Sequence, residues 1–239
     1  MIREELRETA VRYLNRSPLL HADMLDNIAR GKADILRADE HGVLQKVGTL
    51  LMMSADSKHA AQELLCSLEE APKSLEVHRD ICRDAALKIF GMSVFISCRQ
   101  AVWSKRVPLS PVRPVAEIRT LDKNYLPFVQ QHYDLMDDPD YISLRLSTGD
   151  FLGAFFDGHL AGFIGTHEEG SMGMLEILPQ YRRKGIASQL ETALANRLLA
   201  RGRVPFAQIE AKNEASLSLQ RKLNFELSKE KIYWLDPVS

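Results

Sequence analysis

The sequence has little cysteine, no excess of either charge and no long apolar run, and each shortage excludes a class of protein. Its three cysteines, Cys66, Cys82 and Cys98, lack the CxxC spacing of zinc or thioredoxin-like sites, which predicts reduced thiols in the cytoplasm. With 31 basic and 32 acidic residues, the chain has no overall attraction for nucleic acid. No apolar run reaches the ~20 residues that span a bilayer, and the first residues lack the layout of a secretion signal. We therefore expect a cytoplasmic protein with no nucleic-acid, membrane or metal partner, and the sequence leaves its oligomeric state open.

A proline-rich segment near the middle of the chain predicts a boundary between two parts. Pro108, Pro111 and Pro114 lie within seven residues. Each proline restricts the residue before it to extended geometry, so the segment favours a stiff connector over a helix. We expect a first domain at 1–107, a linker at 108–115 and a second domain at 116–239.

The two parts predict the same succession of helix, hairpin, strand, helix, strand, helix and strand. The first part opens with apolar residues at helical spacing and has a hairpin turn at 40–42. In the second part, Asp157-Gly158 is a strong hairpin dipeptide, and the apolar spacing of 185–201 predicts a long helix that ends at Gly202. The fold class that follows is mixed α/β, in tandem halves that each hold a mixed, mostly antiparallel sheet flanked by helices.

A cationic turn in the second part carries the clearest chemical signal. The strand ending at Leu178 is stopped by Pro179, and Arg182-Arg183-Lys184 then leads through Gly185 directly into the predicted helix. The unpaired N–H groups and positive dipole end of a helix N-terminus attract anions. Glycine lets a phosphate approach the backbone closely. A solvated basic turn before an amphipathic helix is the alternative, whereas the Walker and dinucleotide-binding glycine patterns are both missing.

The stretch 175–190 resembles the acetyl-CoA loop of the GCN5-related N-acetyltransferase superfamily, whose pattern is Q/R-x-x-G-x-G/A after a strand. Arg182, Gly185 and Ala187 fill its three defining positions, and Leu-Pro-Gln-Tyr-Arg-Arg resembles the FR47-like, glycine N-acyltransferase-like branch. The segment 213–225 is similar to the family's late helix, and the resemblance covers about 116–235. It implies that each half is GNAT-like and that acetyl-CoA is the acyl donor. The implied cofactor-binding residues are Ile177, Leu178, Arg182, Arg183, Lys184, Gly185, Ile186, Ala187, Ser188 and Asn213.

Within that resemblance, the backbone N–H of Leu178 is the best candidate for stabilising the oxyanion that forms at the thioester. Asn213 would bond the cofactor arm, although asparagine also favours a helix N-cap.

The catalytic residues depart from the family's pattern at two positions. Gln220 stands where the late-helix tyrosine commonly returns a proton to the thiolate, so Tyr181, Tyr233 or water would take that role. The family's basic glutamate would fall near Ser171. A carboxylate must reach the amine directly or through one water, which makes Glu169 the first candidate for the base and Glu176 the second. His132 and His167 are weaker candidates.

Three functions are consistent with these patterns. The leading one is transfer of an acetyl or acyl group from CoA to a primary amine of a small molecule or amino acid. The alternative is a CoA-binding sensor or scaffold that has lost catalysis, and a nucleic-acid-binding regulator is the weakest.

The first part holds Asp56 and no glycine where the loop would lie, so we expect it to be a degenerate copy without CoA. An acidic run at Asp134, Asp137, Asp138 and Asp140 would suit a cationic acceptor.

Overall fold

The computed structural model describes residues 2–133 and 138–238. Its α-helices are α1 (Ile2–Leu14), α2 (Ala22–Ala29), α3 (Lys58–Cys66), α4 (Asp80–Phe90), α5 (Leu126–His132), α6 (Pro139–Leu146), α7 (Ile186–Ala200) and α8 (Glu214–Lys222). Its strands are β1 (Asp34–Ala38), β2 (Gly42–Val47), β3 (Leu50–Ala55), β4 (Leu75–His78), β5 (Met92–Val102), β6 (Glu117–Thr120), β7 (Leu152–Phe156), β8 (His159–Thr166), β9 (Met172–Ile177), β10 (Phe206–Glu210), β11 (Glu226–Leu227) and β12 (Ile232–Pro237). Short 3₁₀ turns lie at Lys123–Tyr125 and Pro179–Tyr181.

The chain forms two compact units that are not continuous in sequence. The first unit holds Met1–Val102, Gln208–Leu217 and Glu226–Ser239, and the second holds Trp103–Ala207 and Ser218–Phe225. The last strand therefore belongs to the first unit, which differs from the division predicted at the linker. Strand β10 contributes its first two residues to the second unit and the remainder to the first.

The first unit is a sheet in the order β1-β2-β3-β4-β12-β5, with β3 and β4 parallel and the other pairs antiparallel. Leu44 and Met53 lie in one buried cluster, and Val43 and Met52 lie in another. Neighbouring residues of a strand point to opposite faces, so this sheet is covered on both sides. Helices α3 and α4 contribute to the first cluster, and α1 and α2 contribute to the second.

The second unit orders its strands β10-β9-β8-β7-β6. Strands β6 to β9 are joined antiparallel, and β9 meets β10 in parallel. Phe151, Phe163, Ile142 and Leu146 are fully or almost fully buried in a cluster that also includes residues of α5 and α6. Helix α7 packs against β7, β8 and β9, which fixes the helix that follows the cationic turn.

The proline-rich segment is extended, as predicted, but it is also tied to α7. Asn196 of α7 donates to the carbonyl of Leu109 (3.1 Å) and accepts from its N–H (2.7 Å). Gln189, one turn from the start of α7, bonds the backbone of Val115 and Ala116 in the same way. The connector is thus hydrogen-bonded to α7 at Gln189 and at Asn196, about two helical turns apart.

Most predicted elements are confirmed, with boundaries that shift by a few residues. The helix predicted from Ser57 to Glu70 ends at Cys66, because Ser67 and Leu68 close it with short turn bonds. Helix α6 and the short strands β6 and β11 were not predicted. The predicted helix over 126–136 is observed as far as His132, and its end lies outside the described residues. Within the described ranges, no helix has both the length and the apolarity needed to cross a membrane.

Candidate active site

Strand β9 leads into the cationic turn and leaves one of its edges largely without a partner. It pairs with β10 at a single position, Met172 with Ala207, whereas its pairing with β8 continues to Ile177. A register shift interrupts the β8 pairing, and Met174 adopts a positive φ of 50°. A bulge of this kind re-aims the backbone of a strand. Backbone groups of 173–176 on the β10 side therefore have no strand partner among the described residues, whereas the carbonyl of Ile177 accepts a bond from Arg182.

The turn after β9 has the backbone geometry of an anion-binding loop. Arg183 adopts φ 63° and Gly185 adopts φ 90°, both in the left-handed region. Left-handed residues occur in backbone concavities that bind anions, and here Arg182, which precedes the pair, is extended. Gly185 is the N-cap of α7 and provides no side-chain capping bond, so the first N–H groups of the helix have no side-chain cap from this residue. Ile186 and Ser188 are buried and anchor the first turn of α7.

The three cations of the turn have different environments. Arg182 folds back onto β9, where its Nε donates to the carbonyl of Ile177 (2.8 Å) and a terminal nitrogen donates to Glu176 (3.0 Å). Lys184 lies over the aromatic rings of Phe156 (4.5 Å) and Tyr181 (5.3 Å). Arg183 is exposed, and within residues 2–133 and 138–238 it has no ion pair. Among the described residues, Arg183 and Lys184 thus pair with no carboxylate, whereas the charge of Arg182 is shared with Glu176.

The oxyanion role assigned to Leu178 is not supported. The N–H of Leu178 donates to the carbonyl of Ala161 (2.9 Å) and so extends the β8–β9 ladder by one bond. A donor already used in a sheet is not available to a developing oxyanion. The sequence could not reveal this, because strand register is set by pairing with β8.

The turn between β8 and β9 brings the first candidate base to the position where the family has its glutamate. His167 and Ser171 are joined by a backbone bond of 2.9 Å, so residues 168–170 form a tight loop. Glu169 is only 4% exposed, and its carboxylate accepts a bond from the hydroxyl of Ser171. The residue at the expected glutamate position therefore holds the carboxylate of Glu169. Glu176, the second candidate, is committed to Arg182.

A tyrosine that sequence reasoning missed is affected by the charges of both carboxylates. Burial raises the pKa of Tyr133 to about 12, and the charges of Glu169 and Glu176 add to the rise. Such a phenol keeps its proton near neutral pH. Tyr133 follows α5, in a stretch whose next four residues, including Asp134 and Asp137, lie outside the described part of the chain. No local pattern singled it out.

The two histidines and Tyr233, which were also considered for proton transfer, each contact a specific neighbour. His167 bonds the hydroxyl of Tyr141 through Nδ1 (3.1 Å), and the ring of His132 lies against Phe128. Tyr233 belongs to the first unit, where its hydroxyl donates to Asp80.

Gln220 lies in the core of the second unit. It is fully buried, and its amide nitrogen donates to Glu191 of α7 (2.8 Å). Burial raises the pKa of Glu191 to about 7 against a small opposing effect of the Gln220 bond. Oε2 of Glu191 and Oε1 of Gln220 have no partner among the described residues. Protonation of Glu191 would supply the donor that this pair of acceptors lacks. The sequence held a signal, since Glu191 lies at helical spacing from Leu194 and Leu198 on the apolar face of α7.

Asn213 caps α8, as its alternative interpretation predicted. Its Oδ1 accepts from the N–H of Ser216 (3.0 Å). It lies in the first unit, and its role toward a cofactor stays a prediction.

The described residues contain one group with the spacing of metal ligands. Asp23, Glu76 and His78 of the first unit are fully buried, and their ligand atoms lie within 4.8 Å of one another. Nε2 of His78 is 3.0 Å from both carboxylate oxygens of Asp23. Gln208 donates to Asp23 (3.1 Å) and to Glu76 (2.7 Å). The indole of Trp234 donates to the carbonyl oxygen of Gln208 (2.7 Å). An indole N–H can only donate, so the amide nitrogen of Gln208 must face the carboxylates, as in a hydrogen-bonded ion cluster.

The fold matches solved structures over almost its whole length. A Drosophila protein of a structural genomics programme is 16% identical, with a TM-score of 0.68 over 98% of this chain and 96% of that one. A GCN5-related N-acetyltransferase-like protein from Streptococcus suis is 17% identical, with a TM-score of 0.60 over 97% and 98%. A GCN5-related N-acetyltransferase from Kribbella flavida is 12% identical, with a TM-score of 0.59 over 100% and 96%. At these identities the likeness shows the fold, which is that of GCN5-related N-acetyltransferases.

The sequence itself matches one family. Residues 152–235 match the model of the FR47-like protein family, and a search of curated proteins finds no match. The resemblance drawn from 175–190 to the FR47-like branch of the GCN5-related N-acetyltransferase superfamily is confirmed by this match and by the fold. The fold class is confirmed as well, and an acyltransferase fold supports acyl transfer in general.

Proposed function

We propose that the protein transfers an acetyl or acyl group from acetyl-CoA to a primary amine of a small molecule or amino acid. The observation that carries the proposal is the turn at 182–188. Two left-handed residues there precede a helix whose N-cap leaves its first N–H groups without a side-chain cap. The pyrophosphate would bind those amides with Arg183 and Lys184, and the thioester arm would lie along the free edge of β9.

In the proposed reaction Glu169 accepts the proton of the amine, and the amine nitrogen attacks the thioester carbon. Collapse of the tetrahedral intermediate breaks the C–S bond, and the departing thiolate takes a proton from water. Ser171 is a positioning residue, because its hydroxyl holds the carboxylate of Glu169. Three free thiols are consistent with a reducing compartment, so we place this activity in the cytoplasm.

The decisive experiment compares the same substitution at the two ends of α7. Gly185 and Gly202 both have positive φ, and neither has a heavy atom within 4 Å of a Cβ placed there. Gly185→Asp and Gly202→Asp therefore carry similar backbone strain, whereas the carboxylate of Gly185→Asp alone would meet the pyrophosphate. We expect calorimetry to show weaker CoA binding by at least about tenfold for Gly185→Asp, since an unfavourable charge costs more than 1.4 kcal/mol. Equal affinities in the two variants would disprove the loop assignment.

A CoA-binding sensor without catalysis remains the second candidate, favoured by one observation. Gln220 stands at the family's tyrosine position, and its amide nitrogen donates a hydrogen bond to Glu191. Incubation of the protein with acetyl-CoA and a panel of amines and amino acids, followed by mass spectrometry, separates the two. Acylated product that disappears with Glu169→Gln supports the enzyme, whereas tight CoA binding without product from any amine supports the sensor.

A further inference from the structure

The first unit has a cavity that the proposed reaction does not use. It measures about 490 Å³ and lies where β3 and β4 end. Asp56 follows β3, Arg79 follows β4, and Ile81 in the first turn of α4 completes one wall. Parallel strands of open α/β sheets present their ligand sites at this carboxyl end, and the volume is within the range of small-molecule sites.

Arg79 has a backbone conformation that is almost restricted to glycine. Its φ is 82° and its ψ is 151°, a combination that costs an L-residue about 1–3 kcal/mol. The strain is retained because the guanidinium has specific partners. It donates to the hydroxyl of Tyr13 (3.2 Å), the carbonyl of Ala55 (3.2 Å) and the hydroxyl of Ser17 (3.3 Å). These bonds fix a cation on the cavity wall before any ligand arrives.

The three acids that line the cavity are already paired. Asp56 contacts the imidazole of His41 (3.2 Å). Glu230 is 3.1 Å from Nε of Arg79. Asp80 accepts from the hydroxyl of Tyr233 and forms an ion pair with Arg83 (3.4 Å). Arg83 also pairs with Asp84 (2.7 Å), so the charge of Asp80 is offset only in part, whereas Asp56 and Glu230 each have a cationic partner in Arg16 and Arg79.

The remaining charge of the cavity is positive. Lys229 and Lys231 line it, and neither ammonium has an ion pair within the described part of the chain. We propose that this cavity is a second binding site, for a small molecule that carries a carboxylate or phosphate group. Lys229 and Lys231 would bind the anion, since Arg79 beside them is already paired with Glu230, and Ile81 would contact an apolar portion. The site does not depend on the acyltransferase proposal.

The test is calorimetric titration of the full chain with inorganic phosphate and, separately, with succinate, at an ionic strength held constant with sodium chloride. The test variant is the double substitution Lys229→Gln/Lys231→Gln. The matched control is Lys73→Gln, which removes an exposed lysine of the same unit outside the cavity. Gly185→Asp serves as a second control, because phosphate could also bind the turn of the second unit.

We expect one saturable site for at least one probe, and the preferred probe identifies the anion. The double variant should weaken binding by at least about tenfold, as expected for the loss of charged hydrogen bonds. Lys73→Gln should stay within about twofold of the parent, the usual range for a distant surface change. The titrations are repeated in Gly185→Asp, where binding at the cavity should persist because the turn of the second unit can no longer contribute. Three results would each overturn the proposal: no saturable binding of either probe, equal affinity in the double variant and Lys73→Gln, or binding that is lost in Gly185→Asp.

Discussion

Replacement of the buried Glu191 by glutamine should remove a pH dependence of stability that results from the burial of this carboxyl group. Burial raises the pKa of Glu191 from 4.5 to about 7. Between these values the unfolded chain has lost the proton that the folded chain keeps, so unfolding releases a proton and stability falls as pH rises. At 1.36 kcal/mol per pKa unit, the free energy of unfolding should fall by about 3 kcal/mol between pH 4.5 and 7 through this group, and level off above.

Glutamine is the informative replacement because it keeps the shape and both hydrogen bonds. An amide at 191 can accept from Gln220 and donate to its Oε1, as the protonated acid does. The variant and parent should therefore have similar stability at pH 5. At pH 8 the variant should be more stable by about 3 kcal/mol, because it has no proton to lose.

The assay is urea unfolding of both proteins at several values from pH 5 to pH 8, with the difference taken at each pH so that other groups cancel. Glu70→Gln, an exposed change in a loop, is the control and should give a difference close to zero throughout. A difference for Glu191→Gln that stays flat across this range would refute the reasoning, since Glu191 would then ionise alike in the folded and unfolded chains.

Three further predictions follow from the site and the core. Gln220→Ala should lower kcat/KM by about tenfold or less, because its amide bonds Glu191 and supplies no proton; a loss of ~10³ at unchanged CoA affinity would contradict this. Glu169→Gln should lower kcat by ~10² or more with unchanged CoA affinity, which is the range of a lost general base, and calorimetry beside steady-state kinetics checks it. Asp23→Asn removes the nearer of the two buried carboxylates that contact His78, with Glu76 remaining at 4.0 Å, and should cost about 3 kcal/mol in urea unfolding; a cost below about 1 kcal/mol would show that the pair is not ionised.

The sequence by itself determined the cationic turn and the succession of elements. Pro179 ends a strand, and Gly185 opens a helix, and both effects act over a few residues. Amphipathic spacing predicted α1 and α7, and the Asp157-Gly158 turn between β7 and β8 follows from the preference of those residues for positive φ. Local chemistry of this kind does not depend on the remainder of the chain.

Only the tertiary structure decided which of those residues are available. The sequence suggests that the backbone N–H of Leu178 is a free donor, but this group is bonded to β8. The sequence suggests that Arg182 is a phosphate ligand, but after the bend that follows β9 its side chain donates to Glu176. At the position of the family's proton donor the sequence has Gln220, and the fold buries this side chain against Glu191 of α7.

The division of the chain is also a tertiary result. Strand β12 comes last in sequence, yet it pairs with β4 and β5 of the first unit, with Tyr233 opposite both Val77 and Ser97. The sequence specifies that 232–237 form a strand, because alternating apolar residues favour that conformation. It does not specify the neighbours, because a strand can pair with any edge that offers free backbone groups and a matching apolar face. That choice depends on the whole folded chain.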